Sequence, residues 1–439
     1  MNSIAVIWAQ YGPYHFARLS ALRQLARPVL VHGLELADRT TDYAWERDSS
    51  ANCVVTLCPG AVYETLPFRT VFLKTRRELA RLGVEVCFLP SYSPKQSLAA
   101  LLAAKSLGIR TVMMNESHAG TSRATGMAGW IKRRLIGLFD TALVGGTPHK
   151  HYFAAMGLPK SRVFTGYDAV DNDFFATRAD EVRRREAETR RYWGLPDRYF
   201  LSLGRFVAKK NLSTLIRAYR LFLETNPQSD IHLVLVGSGE TESEIAKLAA
   251  DCELPVYSRR NAHRGAIAVA PSRQAGVHLY GFRQIDETPA FYALAEAFIL
   301  PSLYEEWGLV VNEAMASGLP VIVSETAGCA EDLLEPTDPW NKMTLNESVL
   351  LARWDLLAKV RDNGFVINPK SSQELGRALL WLEASPRARA AMGKASRRIV
   401  EKFSCENFAR NALLAANGTL VQKLPQETTS RSITDPIQA

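Results

Sequence analysis

The strongest constraint on this chain is an alternation that runs through it twice. Short apolar runs bounded by turn residues alternate with longer stretches at helical spacing. From the N-terminus the apolar runs are "IAVIWAQ", "PVLVHGLEL", "NCVVTLC", "VEVCFLP", "RTVMMNES", "TALVGG" and "RVFTGY". Runs apolar at successive positions fit parallel sheets covered by helices on both faces. "SPKQSLAALLAAKSLGI", closed by Gly108, is one such covering helix. After residue 175 the mixed-sign stretch "RADEVRRREAETRRYWGLP" interrupts the pattern and reads as a solvated helical linker. The alternation then restarts with "YFLSLGRF", "HLVLVGSG", "VHLYG", "FILPS", "PVIVSE" and "GFVINP". Two such arrays predict two doubly wound α/β domains facing each other across a cleft. The expected division is 1–180 for the first domain, 181–198 for the linker and 199–402 for the second domain. Residues 403–421 read as a last amphipathic helix and 422–439 as a polar, disordered tail.

Composition narrows the partners. A chain of 439 residues has material for two cores, and its 47% hydrophobic and 22% charged content is that of a globular protein. The net charge of +8 admits nucleotide phosphates, anionic lipid or nucleic acid as partners. Nucleic acid ranks last, because basic residues are not interleaved with stacking aromatics on a sheet. The six cysteines (Cys53, Cys58, Cys87, Cys252, Cys329 and Cys405) form no CxxC pair and have no histidine cluster beside them. Neither a disulfide framework nor a metal site is expected, and reduced thiols point to the cytoplasm. Cys53 and Cys58 flank a strand-like run and are expected in the core. The opening "MNSIAVIWAQYGPYHFARL" lacks the features of a signal peptide. No stretch approaches the roughly 20 apolar residues of a membrane span.

The chemistry concentrates in "PSLYEEWGLVVNEAMASGLPVIVS", residues 301–324. A strand runs into a loop, Gly308 permits a tight turn, and "LVVNEAMAS" forms a helix stopped by Gly318 and Pro320. Glu305 then stands at the strand's end and Glu313 about one turn into the helix. The free amides of the helix start lie between them, an arrangement suited to a diphosphate flanked by hydroxyl-binding carboxylates. The competing reading is two surface glutamates on an ordinary βα unit. Upstream, "LSLGRFVAKKNLSTLIRAYR" puts Arg205 and Lys210 around another strand-to-helix turn beside Gly204. Two fixed cations there can neutralise a departing diphosphate; exposed loop cations are the bland alternative.

Together, in this order, these motifs resemble the retaining glycosyltransferases of group 1, family 4. The resemblance covers most of the C-terminal half, including "GRFVAKKN", "LVLVGSGE", the Glu305 to Glu313 signature and "NGFVINPKSSQELGRAL". It implies the GT-B fold, with two Rossmann-like domains. It also implies a nucleotide-sugar donor as substrate, no further cofactor, and transfer with retention to a glycan or lipid-linked acceptor in polysaccharide or glycoconjugate biosynthesis. Arg205 and Lys210 would bind the diphosphate and Glu313 the ribose. Glu305, with backbone around Glu306, Trp307, Gly308 and Leu309, would hold the transferred sugar. The turn Gly281, Phe282 and Arg283 would lie against the base. In the looser N-terminal match, Gly12 would approach the phosphates, His118 of "NESHAGT" the transferred sugar, and His15 the acceptor. Glu116 is either part of that site or a helix cap.

Several positions depart from the family pattern. "TGYDAVD", residues 165–171, replaces Pro-Asn-Gly-Val-Asp, with Asp168 in the place of Asn. "TAGCAED" places Ala327 for a glycine, and "TDPWNKMTLNESVLLARWDLLAKV" reads as an insertion. "GWIKRRLIGLFD", residues 129–140, carries Trp130, Ile131, Leu135 and Leu138 beside three basic residues. It reads either as a peripheral contact with anionic lipid at the inner face of the membrane or as a helix packed on the first sheet. The partial glycine pair of "LVGSGE" is too weak for a dinucleotide site. The alternative to an enzyme is a non-catalytic protein of the same fold that binds a glycan or a partner enzyme.

Overall fold

The computed structural model describes residues 1–41, 53–122, 126–259 and 274–418. Among these described residues the first lobe has a sheet of seven strands: β1 (Ser3–Trp8), β2 (Leu30–Arg39), β3 (Val54–Val62), β4 (Val86–Pro90), β5 (Arg110–Asn115), β6 (Thr141–Val144) and β7 (Val163–Thr165). The second has eight: β8 (Tyr199–Leu203), β9 (His232–Val236), β10 (Val256–Ser258), β11 (Val277–Leu279), β12 (Ala297–Leu300), β13 (Val321–Ser324), β14 (Val360–Arg361) and β15 (Gly364–Ile367). The orders are 3-2-1-4-5-6-7 and 10-11-9-8-12-13-15-14. Pairing is parallel except for β14 on β15.

The apolar runs explain this layout. All six residues of β1 are buried, and they pair in register with β2 on one side and β4 on the other. The chain therefore winds outward from β1 in both directions and leaves a crevice at the carboxyl ends of β1 and β4. The same reversal in the second lobe falls between β8 and β12. Both crevices open toward the cleft.

Two helices tie the lobes together. Helix Asn172–Arg184 buries Phe175 and Ala179 among second-lobe residues such as Tyr292 and Val311. The crossover thus precedes residue 180, earlier than the charge pattern predicts. The spacing of Phe175 and Ala179 makes one apolar stripe on an otherwise charged helix. Helix Cys405–Asn417 returns to the first lobe, where Phe408, Ala409, Ala412 and Ala416 pack with Leu19 and Leu22. Its small side chains bring the backbone close enough for Thr141 Oγ1 to donate to the Ala415 carbonyl at 2.9 Å. The predicted tail, 422–439, lies outside the described residues.

Two local expectations change. Cys58 is buried but Cys53 is exposed, because it precedes the strand β3 it was expected to join. Helix Gly126–Ile136 buries Gly129 and Ile136 and leaves Trp130 53% and Ile131 47% exposed. The apolar side chains of 129–140 therefore do not all pack on the sheet. No helix among the described residues is long and apolar enough to cross a membrane.

Candidate active site

Because β8 and β12 are neighbours, the loops that follow them meet. Lys210 pairs with Glu305 Oε2, and Ser302 Oγ donates to the same oxygen at 3.1 Å. Lys209 pairs with Glu306 at 2.6 Å and reaches Glu305 Oε1 at 3.6 Å. Burial works against the Glu306 carboxylate, but the Lys209 contact outweighs it and holds Glu306 below its usual range. Arg205 lines the same recess with Gly204, Lys210 and Leu300. Lys209 and Lys210 thus balance the two carboxylates, and Arg205 adds a third cation to the recess. An incoming diphosphate would give Lys210 a second anionic partner, so that no cation is stranded in a partly dry site.

Gly308 has φ 106°, which turns the chain sharply into helix Leu309–Ala316. Glu313, one turn in, is 1% exposed. Tyr292 donates to its Oε2 at 2.9 Å, and Tyr14 of the first lobe donates to Oε1. Burial pushes the Glu313 carboxyl up to about 7, against the pull of the two tyrosines.

The first lobe closes onto this turn through two histidines. Gly120 N–H donates to His118 Nδ1 at 3.2 Å, so Nε2 carries the proton and donates to the Glu305 carbonyl at 2.9 Å. Gly146 N–H donates to His149 Nδ1 at 3.1 Å, and His149 Nε2 donates to the Glu306 carbonyl at 2.9 Å. Two imidazoles in the same tautomer therefore hold consecutive carbonyls. Burial keeps His149 neutral by pulling it down to about 4. Asp332 of the second lobe accepts from Thr147 N–H at 2.8 Å and Thr147 Oγ1 at 2.6 Å.

The structure thus brings Lys210, Glu305 and His118 into direct contact, with Arg205, Glu306, Gly308, Leu309 and Glu313 on the same two loops and helix. Gly12 lies on the facing loop of the first lobe, two residues before Tyr14. Its N–H donates to His15 Nδ1 at 3.0 Å. His15 is stacked on Trp8 at 4.5 Å, and burial pulls it down to about 3. Its Nδ1 thus caps the helix start while its ring packs on Trp8. Trp307 is fully buried with its indole N–H on Asn312, so only its backbone faces the turn. The Gly281 carbonyl accepts from Gly237 N–H at 2.8 Å, and Phe282 is 41% exposed. Arg283 is turned inward, 5.2 Å over the Trp193 ring. Sequence reasoning missed Tyr14, Tyr292, Lys209, His149 and Asp332. One signal was available: "GPYH" and "GTPH" repeat the same Gly-x-x-His cap at the two helix starts.

Two facing doubly wound sheets with a cleft between them make the GT-B fold. A solved glycosyltransferase from Rickettsia africae ESF-5 superposes with a TM-score of 0.67 at 11% identity, over 96% of this chain and 99% of that one. The family model described as glycosyl transferases group 1 matches residues 197–384, within the second lobe. Mannosylfructose-phosphate synthase of Agrobacterium fabrum is 29% identical over 163 residues, 37% of this chain and 32% of the relative. A GDP-mannose-dependent alpha-(1-6)-phosphatidylinositol monomannoside mannosyltransferase of Mycobacterium tuberculosis is 28% identical over 276 residues, 61% of this chain and 64% of the relative. The chain thus spans about a third of the first relative and less than two thirds of the second.

Proposed function

We propose that the protein transfers a sugar from a nucleotide-sugar donor to a glycan or lipid-linked acceptor, with retention of configuration. The observation that carries this reading is the junction of Lys210, Glu305 and His118 at the mouth of the cleft. On donor binding, Lys210 and Arg205 engage the diphosphate and stabilise its charge as the glycosidic bond breaks. The amides at the start of helix Leu309–Ala316 add to that field. Glu313 takes the ribose hydroxyls, and Glu305 with the turn to Leu309 takes the transferred sugar. The acceptor attacks from the face the diphosphate leaves, and a diphosphate oxygen accepts its proton. Closure by His118, His149 and Thr147 excludes water. Charge neutralisation rests on the two side chains and not on a metal, so chelator treatment leaves turnover unchanged.

The test is turnover of a nucleotide-sugar panel by folded Lys210→Ala and Glu313→Ala proteins. Loss of one oxyanion-type donor lowers turnover by about 100- to 1,000-fold. Unchanged rates in both variants would refute the assignment, and an inverted anomeric product would refute retention.

A lipid-linked acceptor is favoured by helix Gly126–Ile136. Its exposed Met127, Trp130 and Ile131 sit beside Lys132, Arg133 and Arg134, a composition suited to an anionic interface at the cytoplasmic face of a membrane. The expected result is co-sedimentation with phosphatidylglycerol vesicles that is lost in Trp130→Ser/Arg133→Glu. Equal binding by that variant removes the membrane from the proposal.

A further inference from the structure

Behind the Glu305 turn, on the first-lobe side, lie three ionisable groups that the proposed reaction does not use. Asp168 follows β7 and is fully buried. Neither of its oxygens has a hydrogen-bond partner of the usual kind. Arg18 approaches at 3.9 Å but gives its Nε–H to the Ala169 carbonyl at 2.9 Å and lies 4.8 Å over the Tyr167 ring. Glu116, from the loop after β5, lies beside Asp168 and within electrostatic reach of Glu305 and Glu306. A Cβ added at Gly145 would stand 2.6 Å from Asp168 Oδ2 and 2.9 Å from the Trp307 ring, so Asp168 sits directly under the sugar-binding turn.

The charge count decides what this cluster can be. Arg18 supplies one positive charge. Asp168 is fully buried and Glu116 half-buried, so if both carboxyls ionised an unbalanced negative charge would fall on the dry Asp168 site, which burial strongly disfavours. One retained proton makes the cluster neutral. It also gives one Asp168 oxygen a partner, since a carboxylic acid donates to a neighbouring carboxylate. The substitution of Asp168 for the Asn of the resembled pattern fits the same logic, because a protonated carboxyl donates where an amide would.

We propose that Glu116 and Asp168 share a single proton and act as a positioning pair that keeps the first-lobe wall of the cleft neutral, so that a diphosphate can be held against the second lobe. The proposal rests on the donor-binding reading above. Burial favours proton retention at both carboxyls, more strongly at Asp168, with Arg18 opposing. The other titratable groups around the pair are Tyr167, His149, His118, whose Nδ1 accepts from Gly120 N–H, Cys329, and Glu305 and Glu306, which Lys210 and Lys209 already balance. None supplies a positive charge that would let both carboxyls ionise, since burial keeps His149 neutral.

Charge counting gives a test that a packing role would not pass. In Asp168→Asn or Glu116→Gln the remaining carboxylate balances Arg18, so the net charge stays at zero. Only the double variant becomes positive. Calorimetry with inorganic pyrophosphate should show both single variants binding within twofold of wild type. The double variant should bind on the order of tenfold tighter, as for a unit charge about 10 Å away at an effective dielectric of about 20. Infrared difference spectra of wild type minus each single variant should show one carboxylic-acid band at pH 7 beyond the Glu313 signal that all the proteins share. Single variants that bind tenfold tighter, or a wild type without the band, overturn the proposal. If Glu116→Gln does not fold, Asp168→Asn decides by both readouts. If pyrophosphate fails to bind the wild type, the donor reading falls, and the infrared band still judges the pair.

Discussion

Glu313 couples stability to function, and Glu313→Gln exposes the coupling. The carboxyl is 1% exposed, has two tyrosine hydroxyls but no cation, and is raised from 4.5 to about 7 by burial. Because the folded state holds this proton more tightly than the unfolded chain, the associated stability is complete below about pH 4.5 and is lost as pH rises through about 7. At about 1.36 kcal/mol per pH unit, the wild type loses about 3 kcal/mol over that interval from this group alone. Glutamine keeps an acceptor for the tyrosines and carries no charge, so the variant escapes the loss. Urea unfolding of both proteins at pH 4.5 and pH 8 measures the difference. The variant should be the more stable protein at pH 8 by about 3 kcal/mol relative to their comparison at pH 4.5. Its affinity for a nucleotide sugar should fall by roughly 10- to 100-fold, the worth of a charged hydrogen bond. Parallel stability curves across this range would show that the site does not impose burial on the carboxylate, and the argument would fail.

Gly328→Ala puts a Cβ 1.9 Å from the Glu306 carbonyl oxygen and 2.9 Å from His149. It should cost about 1–3 kcal/mol by urea unfolding and reduce turnover by shifting the Glu305 turn, whereas wild-type values in both would contradict the packing described. Tyr14→Phe frees one Glu313 oxygen from the first lobe. Nucleoside-diphosphate affinity should then rise roughly three- to tenfold by calorimetry, because the ribose no longer displaces the tyrosine; weaker binding would place Tyr14 elsewhere in the cycle. His278 is lowered to about 3 chiefly by burial, helped by His232 and Arg259. Its contribution to stability is present above pH 6.5 and is lost as pH falls, by about 2 kcal/mol at pH 5, and His278→Gln should flatten that limb of the urea-derived profile.

The parts of the site legible in the sequence were those built by neighbours along the chain. Glu305, Gly308 and Glu313 belong to one strand–turn–helix, and Arg205 and Lys210 to another, so local geometry predicts which way each points. Partners from distant segments were not legible. The hydroxyl that reaches Glu313 from Tyr14 crosses 299 positions, and the imidazole on the Glu305 carbonyl crosses 187. His15 and His149 share one cap motif, yet His15 is packed on Trp8 and His149 grips the second lobe.

Apolar periodicity and turn chemistry act over a few residues, so they specify the two parallel sheets and the loops bearing the charged residues without reference to the rest of the chain. Only the assembled fold fixes which lobe receives helix Asn172–Arg184, which carboxyl is buried against tyrosines and which histidine grips the second lobe. Burial, charge balance and closure depend on what the opposite lobe brings within a few ångströms, and spacing along one chain does not encode that distance.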